Sequence, residues 1–158
     1  MLVKAQMKEQ VKNKMTDSNK LAVILVRGLV KIRTPVGDTL TMLRITRKNH
    51  AVVIDNNPVN LGMLHVVKDY VTWGEVSSAT IKELVAKRGE LFKSRQSDSK
   101  EIYNYKYLEF EGKKYKSYFR LNPPRKGFGR KGIKMPFTAG GALGNRGDKI
   151  NDLITRML

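Results

Sequence analysis

The sequence predicts an α+β fold: a small three-stranded sheet with helices on one face, continued by an extended basic arm and a terminal helix. Three observations carry that prediction. Residues 20–90 hold three short, apolar, β-branched runs that alternate with segments of helical period. The chain has 158 residues and is 41% hydrophobic, enough for one domain with a real core. Its formal charge of +17 is unevenly placed, with +4 in residues 21–90 and +9 in residues 91–136. The first region reads as an ordinary folded unit, and the second carries the excess.

Residues 1–19 form a basic N-terminal segment that mixes charge with short apolar pieces and lacks the apolar centre of a signal peptide. LAVILVR (21–27) is short, β-branched and stopped by Gly28, as suits a strand buried on at least one side. After the basic loop VKIRTP, Asp38 is placed to cap a helix through about Arg47, with Leu40, Leu43 and Ile45 turned inward. AVVIDN (51–56) is a second strand, ended by Asn57-Pro58. Asn60 is placed to cap a second helix, where Leu61, Leu64, Val67 and Val71 follow helical spacing. YVTWGEV (70–76) supplies a third strand. Thr80-x-x-Glu83 reads as a capping box that opens IKELVAKR and stops at Gly89. These elements make residues 20–90 one compact unit.

Residues 91–118 change character. FKSRQSDSK is polar and loop-like. YNYKYLEF puts Tyr103, Tyr105 and Tyr107 on one face, equally a sheet face or a set of stacking platforms. Glu111-Gly112 is placed to turn this run back as a hairpin with KKYKSYF. Residues 119–158 hold the stretch RLNPPRKGFGRKGIK, then the glycine-rich TAGGALGNRG. They end in DKINDLITRML, whose Ile150, Leu153, Ile154 and Met157 form an apolar stripe.

The composition excludes several functions. With no cysteine, disulfides and thiolate metal sites are ruled out, and His50 and His65 alone do not make a metal cluster. No apolar run approaches the length of a membrane span, so a cytoplasmic protein with no membrane partner is expected. His65 reads as a solvent-facing or satisfied helix residue, Trp73 as core and Met63 as core or interface filler. No Ser/His/Asp set, carboxylate pair or phosphate-binding loop is present. The expectation is a protein without catalysis, cofactor, metal or small-molecule substrate.

Gly127, Gly129 and Gly132 spell G-x-G-x-x-G, the phrase of dinucleotide-binding turns. A working copy sits between a buried strand and a helix. Here RLNPPRK precedes it, with two prolines and three charges, and Pro136 follows at once. The match is accidental. The residue types instead suit a polyanion: residues 120–134 contain six Lys or Arg and no acid. Arg120, Arg125, Lys126, Arg130, Lys131 and Lys134 are suited to phosphates. The glycines allow close backbone approach, the prolines lower the ordering cost, and Phe128 is placed to stack on an unpaired base. Further candidates are Arg27, Lys31 and Arg33 in the first loop, Arg44, Arg47, Lys48, Asn49 and His50 at the exit of the first helix, and Arg146. Part of the helix-exit charge complements the helix dipole.

Residues 39–71, TLTMLRITRKNHAVVIDNNPVNLGMLHVVKDYV, resemble the signature of the large-subunit ribosomal protein thirty family. The matching positions are Leu40, Leu43, Ile45, Arg47 and His50, then Met63, Leu64, Val67, Tyr70 and Val71. KLAVILVRG and VTWGEV fit the same family. FRLNPPRKGFGRKGIK and GGALGNRGDKINDLITRM resemble the C-terminal extension of its archaeal and eukaryotic long form. The bacterial short form stops near Val76. Residues 91–118 depart from the long form, in which a helical insertion is usual.

The resemblance implies a trimmed ferredoxin-like βαβαβ plait and a non-catalytic component of the large ribosomal subunit, acting in translation. It implies binding to large-subunit rRNA near the region of the 5S rRNA, among neighbouring ribosomal proteins. A free-standing RNA-binding protein or RNA chaperone is the alternative, and a nucleotide-dependent enzyme comes last. The basic stretch is then an RNA-facing arm pinned by the terminal helix, fixing position through phosphates while the shape of the folded RNA supplies specificity.

Overall fold

The computed structural model describes residues 20–95, 97, 99–100, 102 and 107–158. The N-terminal segment, Tyr103 and Tyr105 lie outside the described residues. Three strands, β1 (Lys20–Leu25), β2 (His50–Asp55) and β3 (Val71–Glu75), form the centre of the fold. Between and after them come helices α1 (Thr34–Met42), α2 (Pro58–Val67) and α3 (Ser78–Arg88). This is the expected βαβαβ order. Strand β1 lies in the middle, antiparallel to both neighbours, with Val23 opposite Val52 on one side and Trp73 on the other.

The helix starts differ from the expected ones, and the prolines explain two of them. Helix α1 begins at Thr34 after the extended Arg33, with a proline in its first turn, so Asp38 lies inside the helix and not at its cap. Helix α2 likewise follows Asn57 and opens with Pro58. Proline has the helical φ and lacks the N–H that a first turn leaves unpaired, so it starts a helix without any side-chain cap. Asn60 instead turns its amide back to the Asp55 carbonyl at 2.7 Å. Helix α3 is capped by Ser77, whose Oγ accepts from the Thr80 backbone N–H at 3.3 Å; the box therefore begins three residues before Thr80.

The C-terminal residues widen the sheet. Strands β4 (Tyr107–Phe110) and β5 (Lys113–Lys116) pair across the two-residue turn Glu111-Gly112. Both turn residues have positive φ, 49° and 73°, the geometry whose twist matches a tight hairpin. Strand β6 (Tyr118–Arg120) adds to the β2 edge and the short β7 (Gly144–Asn145) adds parallel to β3, giving the order β6-β2-β1-β3-β7. The sheet thus has five strands. Its outer two come from residues more than forty positions beyond the end of β3.

Two apolar layers sandwich this sheet. Leu21, Val23 and Leu25 face Leu40, Leu43, Ile45, Leu64, Val67 and Trp73, under α1 and α2. The alternate residues Ala22 and Ile24 face Ile81 and Leu84 of α3, together with Ile150, Leu153, Ile154 and Met157. Those last four are the stripe of the terminal helix α4 (Lys149–Met157), and each is at most 1% exposed. Helices therefore cover both faces: α1 and α2 lie on one as expected, and α3 with α4 closes the other. The period-2 alternation of β1 demands this, because five of its six residues are buried and both of its faces need a partner.

Candidate nucleic-acid interface

The strand register brings separate basic loops to one end of the sheet. Leu25, the last residue of β1, lies opposite Val71 at the start of β3. His50, the first residue of β2, lies opposite Arg120, the last of β6. The loop after β1, the loop from α1 into β2 and the chain leaving β6 therefore emerge together. They carry Arg27, Lys31 and Arg33, then Arg44, Arg47 and Lys48, then Arg120 and the arm. The opposite end of the sheet holds Lys20 with Asp55 and Glu75. The sheet is electrically polar along its strands.

Most of the cations at this end lack an acidic partner. Among the described residues the ion pairs are Lys116–Glu90, Arg120–Glu90 and Arg156–Asp152. Lys31, Arg33, Arg47, Lys48, Arg125, Lys126, Arg130, Lys131 and Lys134 are exposed and outside all three. Arg27 is different: it donates to the Asp69 carbonyl at 3.0 Å and lies 4.9 Å from the centre of the Tyr70 ring. Among the described residues, four of the five non-glycine residues with positive φ are in these segments: Lys31 (56°), Arg44 (60°), Asn49 (65°) and Lys126 (65°). Left-handed backbone at a basic side chain is strained, and such strain gathers at functional sites.

The arm is not a straight extension. Its Asn122 N–H bonds to the Met157 carbonyl at 3.0 Å and its Arg125 N–H to that of Arg156 at 3.1 Å. These are carbonyls that the end of a helix leaves without partners. Arg156 returns the favour through its guanidinium, reaching the Arg125 and Gly127 carbonyls at 3.2 and 3.0 Å. Further on, Lys131 N–H bonds to Gly140 O, and Met135 O accepts from Ala142 and Leu143. The arm doubles back because Gly129 and Gly141 let two backbones meet: a Cβ on Gly129 would lie 2.4 Å from the Gly141 oxygen. No helix opens at Gly132, which removes the dinucleotide reading.

Two expected RNA contacts are used inside the protein. Arg146 is buried. Its Nε donates to Thr72 Oγ1 at 2.9 Å, and one terminal nitrogen donates to the carbonyls of Phe128 and Ala142 at 2.8 and 3.1 Å. Its guanidinium also lies 4.6 Å from the centre of the Phe137 ring. Burial lowers its pKa to about 10, helped by nearby Arg156, and it remains charged at neutral pH. Phe128 is half-buried and packs against Val26, Ala142 and Leu143. Arg146→Met would leave two inward carbonyls unpaired and is expected to cost about 2 kcal/mol. Thermal unfolding checks the cost, and amide exchange in residues 128–143 should quicken.

His50 is also half-buried. Burial lowers its pKa, with Arg120 and Arg47 adding to the effect against an opposing pull from Glu90. A histidine held neutral is a poor phosphate ligand. Among the described residues no group of His, Asp or Glu is placed to hold a metal, and no helix is long and apolar enough to cross a membrane. His65 is exposed, with its ring edge-on to Trp73 at 6.3 Å. An α+β plait whose cations gather at one end is the class of protein these residues define.

Comparison with known proteins names the class. Residues 21–71 match the family described as Ribosomal protein L30p/L7e. Large ribosomal subunit protein uL30 of Methanopyrus kandleri is 47% identical over 149 residues, covering 84% of this chain and 100% of that protein. The uL30 proteins of Nanoarchaeum equitans and Methanosphaera stadtmanae are 41% and 42% identical, each over 87% of this chain and 97% and 99% of their own lengths. The chain belongs to the uL30 family of large-ribosomal-subunit proteins. It is a structural component of that subunit and so of the cytoplasm, as expected.

Proposed function

We propose that the chain binds large-subunit rRNA through the cationic end of its sheet and the looped arm, and stabilises the folded RNA without chemistry. The observation that carries this reading is the convergence of three basic segments whose cations mostly lack acids. Residues 20–90 act as the folded anchor. Residues 91–118 form an insertion built on a hairpin, and residues 119–158 carry the arm and the helix that holds it. Lys31, Arg33, Arg47, Lys48, Arg120, Arg125, Lys126, Arg130, Lys131 and Lys134 meet phosphates. Arg27, Arg44 and Asn49 shape the loops beside them. The family resemblance supports a site near the 5S rRNA, with other ribosomal proteins as neighbours.

Sedimentation of a tagged chain from a gentle lysate tests the reading. It should travel with the large subunit and remain there after a high-salt wash, because cations enclosed within folded RNA are screened less than surface charges. The purified chain should bind large-subunit rRNA with an affinity that falls steeply as salt rises. Affinity insensitive to salt, or sedimentation with light RNA alone, would overturn the proposal.

A further inference from the structure

Beside the cationic end stands a set of rings and charges of which only Arg120 is among the phosphate contacts above. His50 and Tyr118 stack with ring centroids 5.3 Å apart and planes 7° from parallel. Lys116 Nζ and the Arg120 guanidinium each lie 5.9 Å from the centre of the Tyr118 ring. Glu90 ties down both cations, at 2.6 Å to Lys116 and 3.3 Å to Arg120. Backbone bonds hold Glu90 in place: Lys116 N–H donates to its carbonyl, and Phe92 N–H donates to Lys114 O. Lys116 and Arg120 stand two residues to either side of Tyr118 in the chain, and both side chains reach its ring. Across the hairpin Tyr107 lies opposite Lys116, and Lys114 Nζ is 4.5 Å from the centre of the Tyr107 ring.

An aromatic pair that serves only packing belongs in the core, away from charge. This pair is half-buried at the surface, rimmed by cations that keep 37% and 61% of their side-chain exposure. A flat π surface beside positive charge is what an unpaired nucleotide requires: the base stacks and its phosphates meet the cations. Double-stranded RNA offers no such free base face. We propose that the Tyr118–His50 pair is a stacking platform for one unpaired nucleobase of RNA, with Lys116 and Arg120 set for the phosphates beside it. The depressed pKa of His50 agrees with this role, since a neutral ring extends a stack without seeking a phosphate. The inference rests on the RNA-binding reading above. It assigns to Tyr118, itself half-buried against the layer under α1 and α2, the stacking role first expected of Phe128.

The test is binding of the full chain to large-subunit rRNA over a salt series, with Tyr118→Phe, Tyr118→Leu and Tyr118→Ala. Tyr118→Phe should bind as the unaltered chain does. Tyr118→Leu and Tyr118→Ala should weaken binding about tenfold at every salt concentration, with the slope of log affinity against log salt unchanged. Should Tyr118→Ala fail to fold, Tyr118→Leu together with photo-crosslinking decides the matter. In large subunits assembled with 4-thiouridine-bearing rRNA, a nucleotide adduct should form on Tyr118 or His50. A Tyr118→Leu chain that binds as well as the unaltered one overturns the platform alone, as does an adduct to a protein neighbour at that position. An unaltered chain with no salt-dependent affinity overturns both this proposal and the RNA-binding reading.

Discussion

Replacing Arg125, Lys126, Arg130, Lys131 and Lys134 together by glutamine is expected to lower the affinity for large-subunit rRNA about a thousandfold at moderate salt. Each phosphate neutralised contributes about 0.7–0.9 to the slope of log affinity against log salt, so losing five should flatten that slope by about 4. Stability should hardly change. All five side chains are exposed and without an ion pair among the described residues. The bonds that shape the arm are made by the backbone, as in Arg125 N–H to Arg156 O and Lys131 N–H to Gly140 O. Surface changes of this kind usually stay within about 0.5 kcal/mol each, and removing like charges from a chain of +17 relieves repulsion. Filter binding and a thermal melt measure the two halves of the prediction. An unchanged salt slope would mean that the arm points away from the RNA.

Gly74→Ala should damage the fold more than any single surface change. Gly74 lies in β3, where a Cβ would fall 2.2 Å from the Gly147 carbonyl oxygen and 2.9 Å from Ile150 Cβ. The obstacle is backbone, so no rotamer relieves it. Either the strand shifts or the start of α4 lifts from the sheet. Overpacking of this kind costs about 3 kcal/mol or more, a loss of about 6–12 °C in melting temperature for a chain of this size. The damage should spread to function. Helix α4 carries the carbonyls that anchor the arm, so rRNA affinity should fall although no cation has been removed. Loss of stability with full affinity would show that the arm keeps its shape without the helix.

Much of the architecture was legible because it is written in short windows. The period-2 run of β1 and the stripe Ile150, Leu153, Ile154 and Met157 each declare their element, and all four stripe residues are buried. Helix starts were legible in place but misjudged in register. Asp38, Asn60 and Thr80 look like caps, yet Pro35, Pro58 and Ser77 decide where the helices begin. A cap residue competes with every neighbouring cap residue, and the winner is the one whose backbone can turn into the helix.

The candidate site divides differently. That the chain is cationic, and that the excess lies in residues 91–136, follows from composition alone, because charge adds without regard to conformation. Which cations serve as contacts does not follow. Arg146 looks like its neighbours in sequence but is spent on Thr72, 74 positions away, and on the carbonyls of Phe128 and Ala142. Tyr118 looks like one more tyrosine until β6 pairs with β2 and lays it against His50. The alternating strands and helices, the apolar stripes and the positive charge are legible in residue order, since each is a local or additive property. Three basic loops share one end of the sheet, the arm folds back and Arg146 is buried only once the whole chain has packed. Those outcomes depend on strand register and on packing between distant segments, and no short window of sequence encodes either.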